Sequence, residues 1–220
     1  NTPRLYLMDD RILRNDSGIA TWNSISSLSM STNARIENHA IFNISGAEKT
    51  ANGTLENSIA GEMNISMSGP ATQLILSHFV NDGTVNLYQG KLRITGTGTY
   101  SGLFDIAANG NIEFGSGHVF QAGAQVTGDG SALFQKATFE SPSTLRLSSV
   151  LFKGTGNTFA SGTTVDVGHA DFQGNVTFDG TDYTSGHSVV GGQVQFLSGS
   201  SVDPGSMYVS GTLDLSSGNA

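Results

Sequence analysis

The 220-residue chain contains no cysteine. This removes disulfide frameworks, thiolate metal sites and cysteine nucleophiles at once. The absence fits a reducing compartment or chance, and it also fits an exported chain that must avoid stray disulfides. The repeats described below favour export. Proline is scarce, at 4 residues, and charged residues make up only 13%, well below the usual share of about a quarter. The 10 basic residues face 18 acidic ones, for a formal net charge of -8. A phosphate-binding surface needs clustered Lys and Arg. The densest basic group, Arg4, Arg11 and Arg14, shares its stretch with Asp9, Asp10 and Asp16, so no nucleic-acid partner is expected. No apolar run approaches the ~20 residues of a membrane-spanning helix, and no signal-like apolar segment follows Asn1. The expectation is a piece of a longer chain.

In place of charge the chain carries Ser, Thr, Asn and 29 glycines. Without a collagen triplet, that glycine content suits many tight turns between short strands. Alternating apolar pairs mark such strands, because residues i and i+2 share a side. One series reads Phe42/Ile44, Met63/Ile65, Val85/Leu87, Phe104/Ile106, Ala124/Val126, Leu145/Leu147, Val165/Val167, Val194/Phe196 and Leu213/Leu215. Its intervals are 21, 22, 19, 20, 21, 20, 29 and 19 residues. A second series, Leu74/Leu76, Leu92/Ile94, Ile112/Phe114, Ala132/Phe134, Val150/Phe152 and Ala170/Phe172, keeps the same period. A third consists of single aromatics: Phe79, Tyr100, Phe120, Phe139, Phe159 and Phe178, with a continuation at Tyr208/Val209.

Three interleaved series with one period predict an all-β parallel β-helix (solenoid) with three short strands per coil of about 20 residues. The general preference of parallel crossovers makes it right-handed. The third series then becomes an internal ladder of Phe and Tyr. Residues 35–220 form the solenoid. The 29-residue interval predicts a loop insertion at 179–191, and residues 1–34 read as an entering, irregular segment. Leu133 and Leu151 fall at outward positions, which means either a shift of register or an exposed apolar spot; the short interval there favours the shift.

The run Gly98–Phe114 followed by Ala124–Phe134 resembles repeats of large bacterial surface β-solenoid proteins, adhesins and autotransporter passenger regions among them. The resemblance covers roughly residues 80–216 and is one of architecture and style. It implies an extracellular, cell-surface rod that forms part of something larger.

Chemistry is hard to find in the residues. The outward row of the first strands is expected to be Asn64, Asn86, Asp105, Gln125, Arg146, Asp166, Gln195 and Asp214. Asp105 and Asp166 would then lie about 14 Å apart, too far for a carboxylate dyad. Arg146–Asp166 and Arg93–Glu113 read as surface ion pairs. One dense polar cluster stands out: Asp166, His169, Asp171, Asp179, Asp182 and His187. Oxygen ligands with histidine suit a hard or borderline metal, and Asp179 with Asp182 could act on a sugar, but no spacing is diagnostic. The expectation is a non-enzyme with no catalytic, cofactor or metal residues. His39, His78, His118, His169 and His187 show no metal-type pairing, and outward threonine arrays are not expected. Sequons stand at Asn15, Asn43, Asn52, Asn64 and Asn175, close to the roughly four that this composition produces by chance.

The expected function is structural or adhesive, and the expected partners are neighbouring copies or flanking solenoid segments, and surface glycans. A carbohydrate-binding or polysaccharide-degrading β-helix and a phage tail fibre or spike segment are the alternatives.

Overall fold

In the computed structural model, which describes residues 4–23, 27–31, 33–69 and 71–215, backbone strands wrap into a solenoid of about 10 turns. The strands form a single sheet of parallel pairs. Among the described residues there is no helix, hence none long and apolar enough to cross a membrane.

Three ladders run the length of the rod. On the first face, Ile19–Trp22 pairs with Ile41–Ile44, and the ladder continues through Met63, Val85, Phe104, Val126, Leu145, Val165, Tyr183 and Val202. The second runs from Arg4–Leu7 through Leu28, Ala51, Leu76, Ile94, Phe114, Phe134, Phe152, Phe172 and Val190 to Val209. The third joins Ile12–Asn15 to Asn38, Asn57, Asn81, Tyr100, Phe120, Phe139, Phe159, Phe178 and Phe196.

The third ladder explains why short strands suffice. Its inward column of rings runs from Tyr100 through Phe120, Phe139, Phe159 and Phe178 to Phe196, with successive centroids 4.9, 4.3, 4.4, 4.8 and 4.7 Å apart. From Phe120 onward the planes lie within 17° of parallel. A second column stacks Phe114, Phe134, Phe152 and Phe172 at 5.0, 5.6 and 5.2 Å. Side chains repeated at one depth sit one strand spacing, ~4.8 Å, apart, so each ring buries its faces on its own kind.

Toward the N-terminal end the same column changes chemistry. Asn15 Nδ2 donates to Asn38 Oδ1, Asn38 Nδ2 to Asn57 Oδ1, and Asn57 Nδ2 to Asn81 Oδ1, each at 2.8 Å. The same amides also bond the backbone of the next turn: Asn57 Nδ2 reaches the Thr84 carbonyl at 3.0 Å and Asn81 Nδ2 the Leu103 carbonyl at 3.1 Å. Buried amides cost little when fully partnered, and here each ties two coils together. Later coils brace the same corner with hydroxyls. Ser143 meets Thr163 at 3.3 Å, and Ser200 Oγ donates to the Phe178 carbonyl at 3.2 Å.

The structure corrects four expectations about the coils. Residues 179–191 are not a loop insertion. Asp182–Val190 is a strand that pairs with Thr164–Phe172 over both of its faces. That coil carries Tyr183 and Ser185 where its neighbours carry apolar pairs, and the buried Ser188 bonds both the Tyr183 hydroxyl (2.7 Å) and Ser185 Oγ (2.6 Å). A search for apolar pairs therefore passes over it. Val194/Phe196 and Leu213/Leu215 belong to the third face, and Tyr208/Val209 to the second. Nor are the described residues of segment 1–34 irregular: their strands pair in parallel with the following coil at offsets of 22 to 23 residues. Finally, the pair Ala124/Val126 sits two residues early, because the inward partner of Leu147 is Gly128, where φ is +123° and no side chain advertises the position.

Candidate functional site

The dense Asp/His cluster of the sequence divides between faces. Asp166 points outward on the first face and accepts a bond from Arg146 Nε at 3.1 Å. Asp171 lies on the second face and accepts from Gln173 Nε2 at 2.8 Å. His169 and His187 are true neighbours on adjacent coils, their imidazoles stacked at 5.3 Å. His187 Nδ1 is already bonded to Ser206 Oγ at 2.7 Å. Asp182 is exposed at the start of its strand, while Asp179 lies past the end of the third-face strand that finishes at Phe178. Among the described residues no three or more Asp, Glu or His gather in a metal-holding arrangement.

Asp179 does line a feature the sequence did not suggest. A shallow groove of about 310 Å³ runs across several coils of the third face, with Thr138, Thr158 and Thr177 in register along it and Glu140 and Asp179 at its corner side. Thr158 Oγ1 donates to Thr138 Oγ1 at 3.3 Å. An outward threonine row therefore exists, contrary to expectation. It was hidden because each third-face strand exposes one residue between two buried ones, so no Thr-x-Thr pattern forms.

On the second face the outward row is Arg93, Glu113, Leu133, Leu151, Asp171, Val189 and Tyr208. Register is kept between Leu133 and Leu151, the shift lying upstream between Gly128 and Ser131. The two leucines form a half-buried outer apolar spot, which overturns the expected register shift. Beside them Glu113 meets Lys91 and, at 3.2 Å, Arg93. Burial alone would raise its carboxyl, but the two cations outweigh burial and hold it below the usual carboxylate range. Glu37 forms a similar node near the N-terminal end, with Arg35 at 2.6 Å and Arg14 at 2.7 Å, and it too is held low, chiefly by the Arg35 hydrogen bond.

The first-face outward row needs correction at three places. Thr127, not Gln125, follows Asp105, and Thr184 and Asp203 follow Asp166. Gln195 and Asp214 belong to the third face, where they bond at 3.2 Å. The early part of the row is a second, outer asparagine ladder. Asn64 Nδ2 donates to Asn43 Oδ1 at 3.2 Å, and Asn86 Nδ2 to Asn64 Oδ1 at 2.9 Å and to Glu62 Oε1 at 3.3 Å. Tyr88, 52% exposed, reaches back so that its hydroxyl donates to Asn64 Oδ1 at 3.3 Å. Pairing slips at this point, between Leu87 and Gln89, on both neighbouring coils, and that slip turns Tyr88 to the surface. No periodicity in the sequence announces it.

These ladders sort the sequons. Asn15 is committed to the inner ladder and to the Ile41 carbonyl, and Asn43 and Asn64 to the outer one, whereas Asn52 and Asn175 are exposed.

One titratable pair lies inside the rod. The Tyr100 hydroxyl and His118 Nδ1 are 2.8 Å apart, with His118 only 1% exposed. Its Nε2 makes no hydrogen bond of ordinary geometry. Burial pushes the imidazole down to about 4, a shift the Ile94 carbonyl only partly offsets, and burial also raises the Tyr100 phenol. Gly98 makes room for the pair, since a Cβ there would collide with the Tyr100 hydroxyl.

No protein-family model, curated protein or solved structure matches the chain.

Proposed function

We propose that the chain is a non-enzymatic, structural or adhesive segment of an extracellular surface or filament protein, in which the rod is continued end to end by further coils, of the same polypeptide or of a neighbouring copy. The observation that carries this reading is the placement of exposed apolar side chains. Among the described residues the large exposed hydrophobics are Tyr6, Met8, Ile12, Leu13 and Ile19 on the first coil, Tyr208, Val209 and Leu215 on the last, and just Ile59 and Tyr88 along the sides. At the first coil a cavity of about 220 Å³ opens into the core between Leu13, Ala20, Trp22, Leu28, Ile36 and Phe42. Among the described residues the strands of each end coil are paired on one side only, which leaves a template for parallel pairing on the other. Apolar surface and free strand edges coincide, and another coil satisfies both.

The sides supply the adhesive half of the reading. They are polar and weakly acidic, rich in Asn, Thr, Ser and Gly, and every coil between the two ends is stacked on two others. The resemblance to adhesins and autotransporter passengers points the same way. The deciding experiment is immuno-electron microscopy of the source cells with an antibody to the chain. Labelled surface spikes or filaments support the proposal. Label confined to the cell interior overturns it.

A further inference from the structure

We infer that the outer face around Tyr88 is a binding strip for a neutral glycan chain lying along the rod axis. The inference rests on the adhesive reading above and names its ligand class and site. Three features converge. Tyr88 is the large exposed aromatic of the first face, placed there by a break in strand pairing. Bulges of this kind are commonly used to re-aim a side chain. Its ring offers an apolar platform with a polar tip, which suits the C–H face of a pyranose flanked by hydroxyls.

Beside the ring stand Asn43, Asn64 and Asn86 on successive coils, with Glu62 adjoining. Each amide carries two N–H donors and an oxygen with two lone pairs. The ladder uses one donor of Asn64 toward Asn43, the Asn86 amide toward both Asn64 Oδ1 and Glu62 Oε1, and the second lone pair of Asn64 Oδ1 toward the Tyr88 hydroxyl, which fixes the amide planes and leaves the second N–H of Asn64 and the N–H groups of Asn43 to a ligand. Sugar hydroxyls both donate and accept, so a pre-oriented row of amides matches them at little entropic cost. The row repeats every ~4.8 Å, and a linear polymer of similar sugars can meet equivalent groups on alternate coils.

The chemistry also selects against acidic ligands. Glu62 borders the strip, Asp105 continues its row, and the chain as a whole carries a net charge of -8. Sulfated or uronic acid polymers would be repelled.

The test uses the whole 220-residue chain produced in bacteria, so that Asn43 and Asn64 stay unmodified. Soluble cellohexaose, chitohexaose, laminarihexaose and maltohexaose are titrated separately by isothermal calorimetry, with an oligogalacturonate as the acidic comparison. At least one neutral hexasaccharide should bind, and the oligogalacturonate should bind more weakly or not at all. Tyr88→Ala should weaken binding by about tenfold, and Tyr88→Trp should restore it. Tyr208→Ala, at the far end, should leave it unchanged. Melting curves of each variant confirm folding. Absence of binding by the unaltered chain to all four neutral sugars, or binding indifferent to Tyr88→Ala, overturns the strip. Neither result touches the surface location of the rod, which the microscopy decides separately.

Discussion

His118 occupies an inward position of the third face that is held by Phe79 or Ala137 on other coils, and it is buried without the charge partner an imidazolium needs. Its imidazole titrates near 4, against 6.5 when free. Above pH 6.5 both folded and unfolded chains keep it neutral, and its effect on stability does not change with pH. As pH falls from 6.5 toward 4, the unfolded chain takes up the proton and the folded chain does not, so stability is lost across that window, by about 3 kcal/mol at its lower end. Urea unfolding at pH 7.0, 5.5 and 4.5 should show this loss, and His118→Phe should flatten it, whatever its effect on stability at pH 7.0. An unchanged slope in the variant would place the acid sensitivity elsewhere. Asn57 makes a contrasting case of a buried polar group that is fully used. Asn57→Ala strands the donor of Asn38 and the acceptor of Asn81 and removes the bond to the Thr84 carbonyl. It should cost about 2–4 kcal/mol by chemical denaturation, whereas Asn52→Ala, on an exposed amide, should cost less than about 0.5 kcal/mol.

A coil of this rod is held chiefly by the coils above and below it, so damage should be local. Phe139 lies between Phe120 at 4.3 Å and Phe159 at 4.4 Å. Phe139→Ala should cost about 3–5 kcal/mol, and hydrogen exchange should quicken most in the strands around Phe120, Phe139 and Phe159 while the asparagine-laddered coils stay protected. Uniform quickening along the chain would instead mean a single cooperative core. The aromatic columns were legible in the sequence because stacking demands the same large ring at the same interval. Coils stabilised by other means were not. The inner ladder of Asn15, Asn38, Asn57 and Asn81 fills an inward column with polar residues, which a search for apolar alternation reads as turn or surface. Tyr183, Ser185 and Ser188 satisfy one another inside the rod and erase the apolar pair that would have marked their coil. The candidate sites were less legible still. The threonine row of the third face and the amide row beside Tyr88 are assembled from residues about 20 positions apart, and only the exact offset of each coil brings them into line.

At the scale of the whole rod, the question is what the two ends do in solution. The forward edge is partly blunted. Ser201 N donates back to Thr181 and Gly205 N to Ser185, so by alternation Val202 and Pro204 direct their backbone outward, and Pro204 has no N–H to offer. The apolar surface is not blunted: Ile19 is 67% exposed and Leu13 48% on the first coil, against Tyr208 at 63% on the last. Hydrophobic contact therefore drives association, and pairing of the second and third faces directs it. The chain should associate reversibly as its concentration rises, giving elongated species in sedimentation velocity. Leu13→Lys with Ile19→Lys places two charges at the open mouth of the core and should return the chain to a monomer, while Ile59→Lys, on a side position 87% exposed, should leave the distribution unaltered. A chain that stays monomeric at every concentration, or loses association equally with Ile59→Lys, would show that the ends do not recognise each other.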